Sequence, residues 1–165
     1  MKIKRVLVPV DFSPSSLRAL EFAVDFVKPF TAELLLLFAI EPILYVVPDY
    51  GGAQSAAMAD TLDAQRRTAR TELARLERRY TKRGIKVRSL LETGRASQAI
   101  ADAAKRLKAD LIVMSTHGRT GVSHLLMGSV TERVVRTATC PVLTLHAAEI
   151  KRAAKRRPSK SPRGK

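Results

Sequence analysis

Glu33–Ile40 reads ELLLLFAI, a run in which only the first residue is charged. Such a nearly unbroken apolar stretch is expected of a strand covered on both faces, since neither side can turn polar groups to water. Working back from it, Ile3–Pro9 (IKRVLVP) is a second short apolar strand of β-branched character. Between the two, Asp11-Phe12-Ser13-Pro14 signals a helix start, with Ser13 as N-cap and Pro14 at the first helical position. Leu17, Leu20, Ala23, Val24 and Val27 then follow helical spacing.

Working forward, Pro42, Pro48, Gly51 and Gly52 mark a loop, and a long helix is expected from about Ala56 to Lys82. Its stripe Leu62, Ala69, Leu73, Leu76 and Tyr80 lies along one face, while Arg66, Arg67, Arg70, Arg75, Arg78 and Arg79 largely occupy the rest. Lys86–Leu91 alternates as a third strand, and Arg95–Leu107 is helical with Ile100, Ala103, Ala104 and Leu107 inward. Asp110–Ser115 (DLIVMS) is a fourth strand, Ser129–Thr137 a short helix and Pro141–Leu145 (PVLTL) a last strand. Strands alternating with helices imply an α/β fold, a parallel sheet joined by right-handed crossovers.

At 165 residues the chain suits one domain burying roughly two thirds of its unfolded surface. A hydrophobic content of 45% excludes global disorder. The net charge is +15, and its distribution matters more than its size. From Glu149 onward eight Lys/Arg face one acid, a local +7; the other 148 residues carry 22 basic and 14 acidic side chains, or +8. Residues 1–147 are therefore read as the folded domain and 148–165 as a basic, disordered arm. A basic surface attracts nucleic acid, anionic membranes and phosphorylated ligands alike, so charge does not choose between them. Cys140, the single cysteine, excludes a disulfide framework and fits a reducing compartment. No signal peptide is visible, and no apolar run approaches the ~20 residues of a membrane span. A cytoplasmic location is expected.

Ligands of open α/β sheets sit at the carboxyl ends of the strands, where strand order reverses. Two such ends carry unusual residues: Pro9-Val10-Asp11 and Met114-Ser115-Thr116-His117-Gly118. The second leads through Arg119-Thr120-Gly121 to Gly128-Ser129-Val130-Thr131 at a helix start. Glycines let the backbone approach a phosphate, and a helix N-terminus adds N–H donors and positive potential. Ser129 and Thr131 add hydroxyls. Ser129-Val130-Thr131-Glu132 equally satisfies a capping box, in which Ser129 only holds the helix start. From chemistry alone both readings stand. No Walker loop and no dinucleotide Gly-x-Gly-x-x-Gly fingerprint is present, which removes the P-loop and Rossmann dinucleotide classes.

Val8-Pro9-Val10-Asp11-Phe12-Ser13, the segment Met114–Val135 (MSTHGRTGVSHLLMGSVTERVV) and Cys140-Pro141-Val142-Leu143 together resemble the universal stress protein family. That family opens with a strand ending in Pro-x-Asp and carries a late Gly-x2-Gly-x9-Gly-Ser/Thr motif. The nine-residue gap is kept between Gly118 and Gly128-Ser129, and the resemblance extends over about Lys2–Leu145. Ser115 departs from the motif, standing where its first glycine would be, and its Cβ is expected to crowd a ribose and weaken ATP binding.

The resemblance implies an open five-stranded parallel sheet in the order 3-2-1-4-5 with helices on both faces, Rossmann-like and of the adenine nucleotide alpha hydrolase-like kind. It implies ATP as ligand, with Mg or Mn on the phosphates. Pro9, Val10, Asp11 and the backbone near Ala39 and Ile40 would form the adenine end. Met114, Ser115, His117 and Gly118 would line the ribose and inner phosphates, and Gly128, Ser129, Val130 and Thr131 would hold the outer phosphates. Arg119 is the basic residue placed for a phosphate contact. It also implies a homodimer formed through the last strand.

The leading expectation is thus a nucleotide-dependent binding or regulatory module of the stress response. One alternative is a weak ATPase or nucleotidyl-transfer enzyme on the same fold, but no positioned base or signature lysine is evident near the phosphates. Another is a polyanion binder acting through the tail and the arginine-rich helix, which five Phe and three Tyr support little. His117 has no carboxylate beside it in sequence, and His124 and His146 lack metal-ligand spacing and read as surface residues. Cys140 reads as a small buried hydrophobe.

Overall fold

The computed structural model describes residues 2–41, 53–116 and 127–146. Among the described residues, five strands form one sheet: β1 (Arg5–Pro9), β2 (Glu33–Ile40), β3 (Val87–Thr93), β4 (Leu111–Ser115) and β5 (Val142–Leu145). Four α-helices alternate with them: α1 (Pro14–Val27), α2 (Ala53–Thr81), α3 (Ala96–Arg106) and α4 (Ser129–Thr137). All four strand pairings are parallel and the order is β3-β2-β1-β4-β5. The expected sheet and order are what the chain forms.

The start of α1 shows how local chemistry sets the elements. Ser13 is extended, its Oγ accepts the Ser16 N–H at 3.2 Å, and Pro14 follows at the first helical position. Helix α2 begins three residues before the expected Ala56, and β3 runs two residues past the expected Leu91. Glu92 and Thr93 carry no apolar signal, yet they pair with Ala39 and Ile40, so backbone hydrogen bonding extends the strand.

Two apolar layers sandwich the sheet. On one face Val6, Val8, Leu34, Leu36, Leu111 and Val113 meet α1 (Leu20, Ala23, Val24, Val27) and α2 (Leu73, Leu76, Tyr80). On the other, Leu7, Leu35, Leu37, Ile112 and Met114 meet α3 (Ile100, Ala103, Ala104) and α4 (Val134). Alternate residues of one strand thus serve opposite layers, which is why Glu33–Ile40 had to be apolar almost throughout.

Glu21 of α1 ties the two helices of the first face together. Its carboxylate accepts from the Tyr80 hydroxyl at 2.9 Å, from Arg83 at 2.9 Å and from Arg79 at 3.2 Å. Burial and then the bond to Glu21 push the Tyr80 phenol up to about 12. Burial alone would raise the Glu21 carboxyl; the Arg83 and Tyr80 hydrogen bonds outweigh it and hold it below its ordinary range. At the amino ends of the strands, Asp110 accepts the Lys4 and Arg5 N–H groups at 2.8 and 2.9 Å and joins the starts of β1 and β4.

Candidate functional site

The carboxyl ends of β2, β1 and β4 lie side by side. Pro9 is opposite Leu37, two residues before Ala39, and Leu7 is opposite Ile112, two residues before Met114. At the end of β1 the chain turns sharply into α1. Asp11 Oδ1 accepts the Ser13 N–H at 3.0 Å and the Ser13 hydroxyl, while the Asp11 N–H donates to Ser16 Oγ at 3.3 Å. Phe12 sits between them in the left-handed region, at φ 63°, a conformation that costs a bulky side chain energy. Its ring stacks on Phe38 of β2 with centroids 4.8 Å apart, which fixes the turn and the position of Asp11.

The end of β4 is coupled directly to the start of α4. The Gly128 N–H donates to Thr116 O at 2.8 Å, and the Thr131 hydroxyl donates to Ser115 O at 3.0 Å. Gly128 is the N-cap and Ser129 the first helical residue, with no side-chain cap bond, so the capping-box reading of Ser129 is not the arrangement found. The first helical bond of this turn runs from Glu132 N–H to Gly128 O at 3.0 Å. The N–H groups of Ser129, Val130 and Thr131 precede it and lack intrahelical partners. They gather at the positive end of α4, where an anion is favoured.

Glycine at 128 is not required by φ, which is an ordinary −60°. It is favoured by close approach: a Cβ there would lie 3.0 Å from Thr116 O, which would have to give by a few tenths of an ångström. Removing the side chain is what lets the helix start seat against the β4 exit.

The structure therefore brings Pro9, Val10, Asp11, Ala39, Ile40, Met114, Ser115 and Gly128–Thr131 to one end of the sheet. His117, Gly118 and Arg119 lie outside the described residues, as does His124. Val10, Ile40 and Met114 are 4, 4 and 5% exposed, so their side chains belong to the core and only their backbones can meet a ligand. Ile40 O already accepts the Gly94 N–H at 2.8 Å. Thr131 is buried with its hydroxyl donated to Ser115 O, so that hydroxyl is not available to a ligand. Ser129 and Val130 are exposed.

Two contributors escaped sequence reasoning. Thr116 organises Gly128 through a carbonyl, which no side-chain pattern reports, and Phe12 holds the Asp11 turn through a ring contact across strands. Cys140 is half-buried rather than buried, with its thiol pushed up by burial. Among the described residues no group of three or more His, Cys, Asp or Glu is placed to hold a metal ion.

The chain and its fold have clear counterparts. Residues 2–146 match the model of the universal stress protein family. The chain belongs to that family. A curated universal stress protein of Thermus aquaticus is 38% identical over 140 residues, covering 85% of this chain and 96% of its own. The solved universal stress protein UspA of Lactobacillus plantarum superposes with a TM-score of 0.78 at 25% identity, over 88% of this chain and 99% of its own. Another solved universal stress protein, in complex with cAMP, gives a TM-score of 0.60 at 25% identity over 88% and 98% of the two chains. A family protein of Arabidopsis thaliana solved with AMP bound shares the fold, with a TM-score of 0.62 at 22% identity over 88% and 94%.

Proposed function

We propose that this universal stress protein binds ATP at the carboxyl ends of β1, β2 and β4 and works as a nucleotide-dependent binding or regulatory module. One observation carries the reading. Three N–H groups of Ser129, Val130 and Thr131 stand at the start of α4, held in place by the Gly128–Thr116 and Thr131–Ser115 hydrogen bonds. Such a donor set suits the oxygens of an outer phosphate. Asp11 and the backbone at Ala39 and Ile40 would receive the adenine end, and Met114, Ser115, His117 and Gly118 the ribose and inner phosphates, with Arg119 beside them. The cAMP and AMP complexes of its structural neighbours support an adenine nucleotide in this chain. A divalent cation, Mg or Mn, would ride on the phosphates and neutralise their charge.

Calorimetry of the purified chain with ATP and with AMP tests this. ATP is expected to bind at least about tenfold more tightly, about 1.4 kcal/mol, because only it reaches the α4 donors. Equal affinities would sink the triphosphate reading.

In the same reading the protein works in the cytoplasm, residues 1–147 form the domain and 148–165 a basic arm that makes salt-sensitive contacts with polyanions. The family match ends at residue 146, and among the described residues no helix is long and apolar enough to cross a membrane. Two copies would join through β5. It is an edge strand, its residues are half-buried, and apolar edges of this kind are normally covered. Light scattering at micromolar concentration should report twice the chain mass; a folded monomer would overturn the dimer.

A further inference from the structure

The outward face of α2 takes no part in the nucleotide site, and it carries a row of exposed basic side chains. We infer that the outward face of α2 docks the phosphate backbone of double-stranded nucleic acid. This stands independently of the nucleotide reading.

Helix α2 buries Ala69, Leu73, Leu76 and Tyr80 against the sheet. At 3.6 residues per turn, Arg67, Arg75, Arg78 and Lys82 fall on the side opposite that stripe, and Arg70 on the flank toward β3. The acids around them are mostly engaged. Glu21 holds Arg79 and Arg83 on the α1 flank, and Glu77 on the β3 flank accepts from the Ser89 N–H and hydroxyl. Asp63 pairs with Arg66 at 3.2 Å and Glu72 with Arg75 at 3.4 Å, exposed pairs of the weak kind. Among the described residues no carboxylate pairs with Arg67, Arg70, Arg78 or Lys82, and all four are exposed. Ala74, Glu77, Arg78, Thr81 and Lys82 line a shallow, open depression along the ridge.

From Arg67 to Lys82 the ridge is roughly 22 Å long at 1.5 Å per residue. Over that length duplex DNA carries on the order of a dozen phosphate charges. Base stacking is not offered, because the one aromatic of α2, Tyr80, is 1% exposed. That favours a duplex backbone over unpaired bases. The ridge also lacks the large apolar residues with which an interfacial helix enters a membrane.

The test is a fluorescence-anisotropy titration of labelled duplex DNA at several NaCl concentrations. It compares the full chain with its R67Q/R70Q/R78Q/K82Q variant. A second full-length variant carries glutamine at the eight Lys and Arg positions from Lys151 to Lys165. The α2 variant should lose at least about tenfold in affinity at low salt, and the slope of log K against log salt should fall by about 3–4, near 0.9 per lost phosphate contact. The tail variant should keep that α2-dependent part. All these positions are exposed or in the arm, so melting temperatures should match; if the fourfold variant does not fold, R67Q/K82Q is read instead, with half the slope change. An α2 variant with unchanged slope and affinity overturns the inference. So do tighter binding to single strands than to duplex, and a wild-type chain that binds phosphatidylserine vesicles but not duplex DNA.

Discussion

A Gly128→Val chain is expected to lose at least about 100-fold in ATP affinity, about 2.8 kcal/mol at 1.4 kcal/mol per decade. The argument is steric. The Gly128 N–H already donates to Thr116 O at 2.8 Å, and an added Cβ would sit 3.0 Å from the same oxygen. Backbone carbonyls do not swing aside as a flexible side chain does, so valine must lever the start of α4 away from β4. That movement strains the Thr131–Ser115 bond and displaces the three N–H groups together. Gly128→Ala has one methyl to place and should lose less, about tenfold.

Gly84→Ala provides the contrast. Gly84 follows α2 at φ +78° with open space around it, so alanine there is strained whatever the room. It should cost about 1 kcal/mol of stability and leave ATP affinity unchanged. Calorimetry and melting of the three variants separate the two effects. Wild-type affinity in a folded Gly128→Val chain would show that the α4 start does not hold the phosphates.

The same two glycines differ in what sets them: Gly84, not singled out in the sequence, answers a local need for a left-handed turn after α2. Gly128 is set by a carbonyl twelve residues earlier, so its composition and neighbours leave its role open. Strand β2 could be bounded at both ends because two buried faces demand apolar residues at nearly every position, and α1 at its start because a serine cap is followed by proline. The last residues of β3 could not be bounded, since Glu92 and Thr93 are held by backbone pairing alone. Phe12 was hidden for a similar reason: nothing local favours a left-handed phenylalanine, and the Phe38 ring that sustains it comes from another strand. The alternation of strands and helices implied a parallel sheet, whereas the order of its strands came through the family resemblance. Local chemistry wrote the elements; contacts distant in sequence built the site.

Leu36→Ala should cost far more stability than truncation of a half-exposed side chain. Leu36 lies at the centre of β2, is 0% exposed and belongs to the layer shared with α1 and α2. It is paired with Val8 on one side and Ser89 on the other, so the backbone cannot collapse into the space the side chain leaves. Where a site cannot relax, the cavity adds to the lost transfer energy, and Leu→Ala changes then cost about 2–5 kcal/mol. Against a total of roughly 5–15 kcal/mol for a domain, that is a large fraction. The midpoint of urea unfolding should fall accordingly with its slope unchanged. Phe30→Ala removes a larger side chain, but Phe30 is 46% exposed, with its ring tilted against that of Phe26, so about 1 kcal/mol or less is expected. If the two truncations cost the same, Leu36 is not seated in the packed layer beneath α1 and α2, and the assignment of alternate β2 residues to opposite faces fails with it.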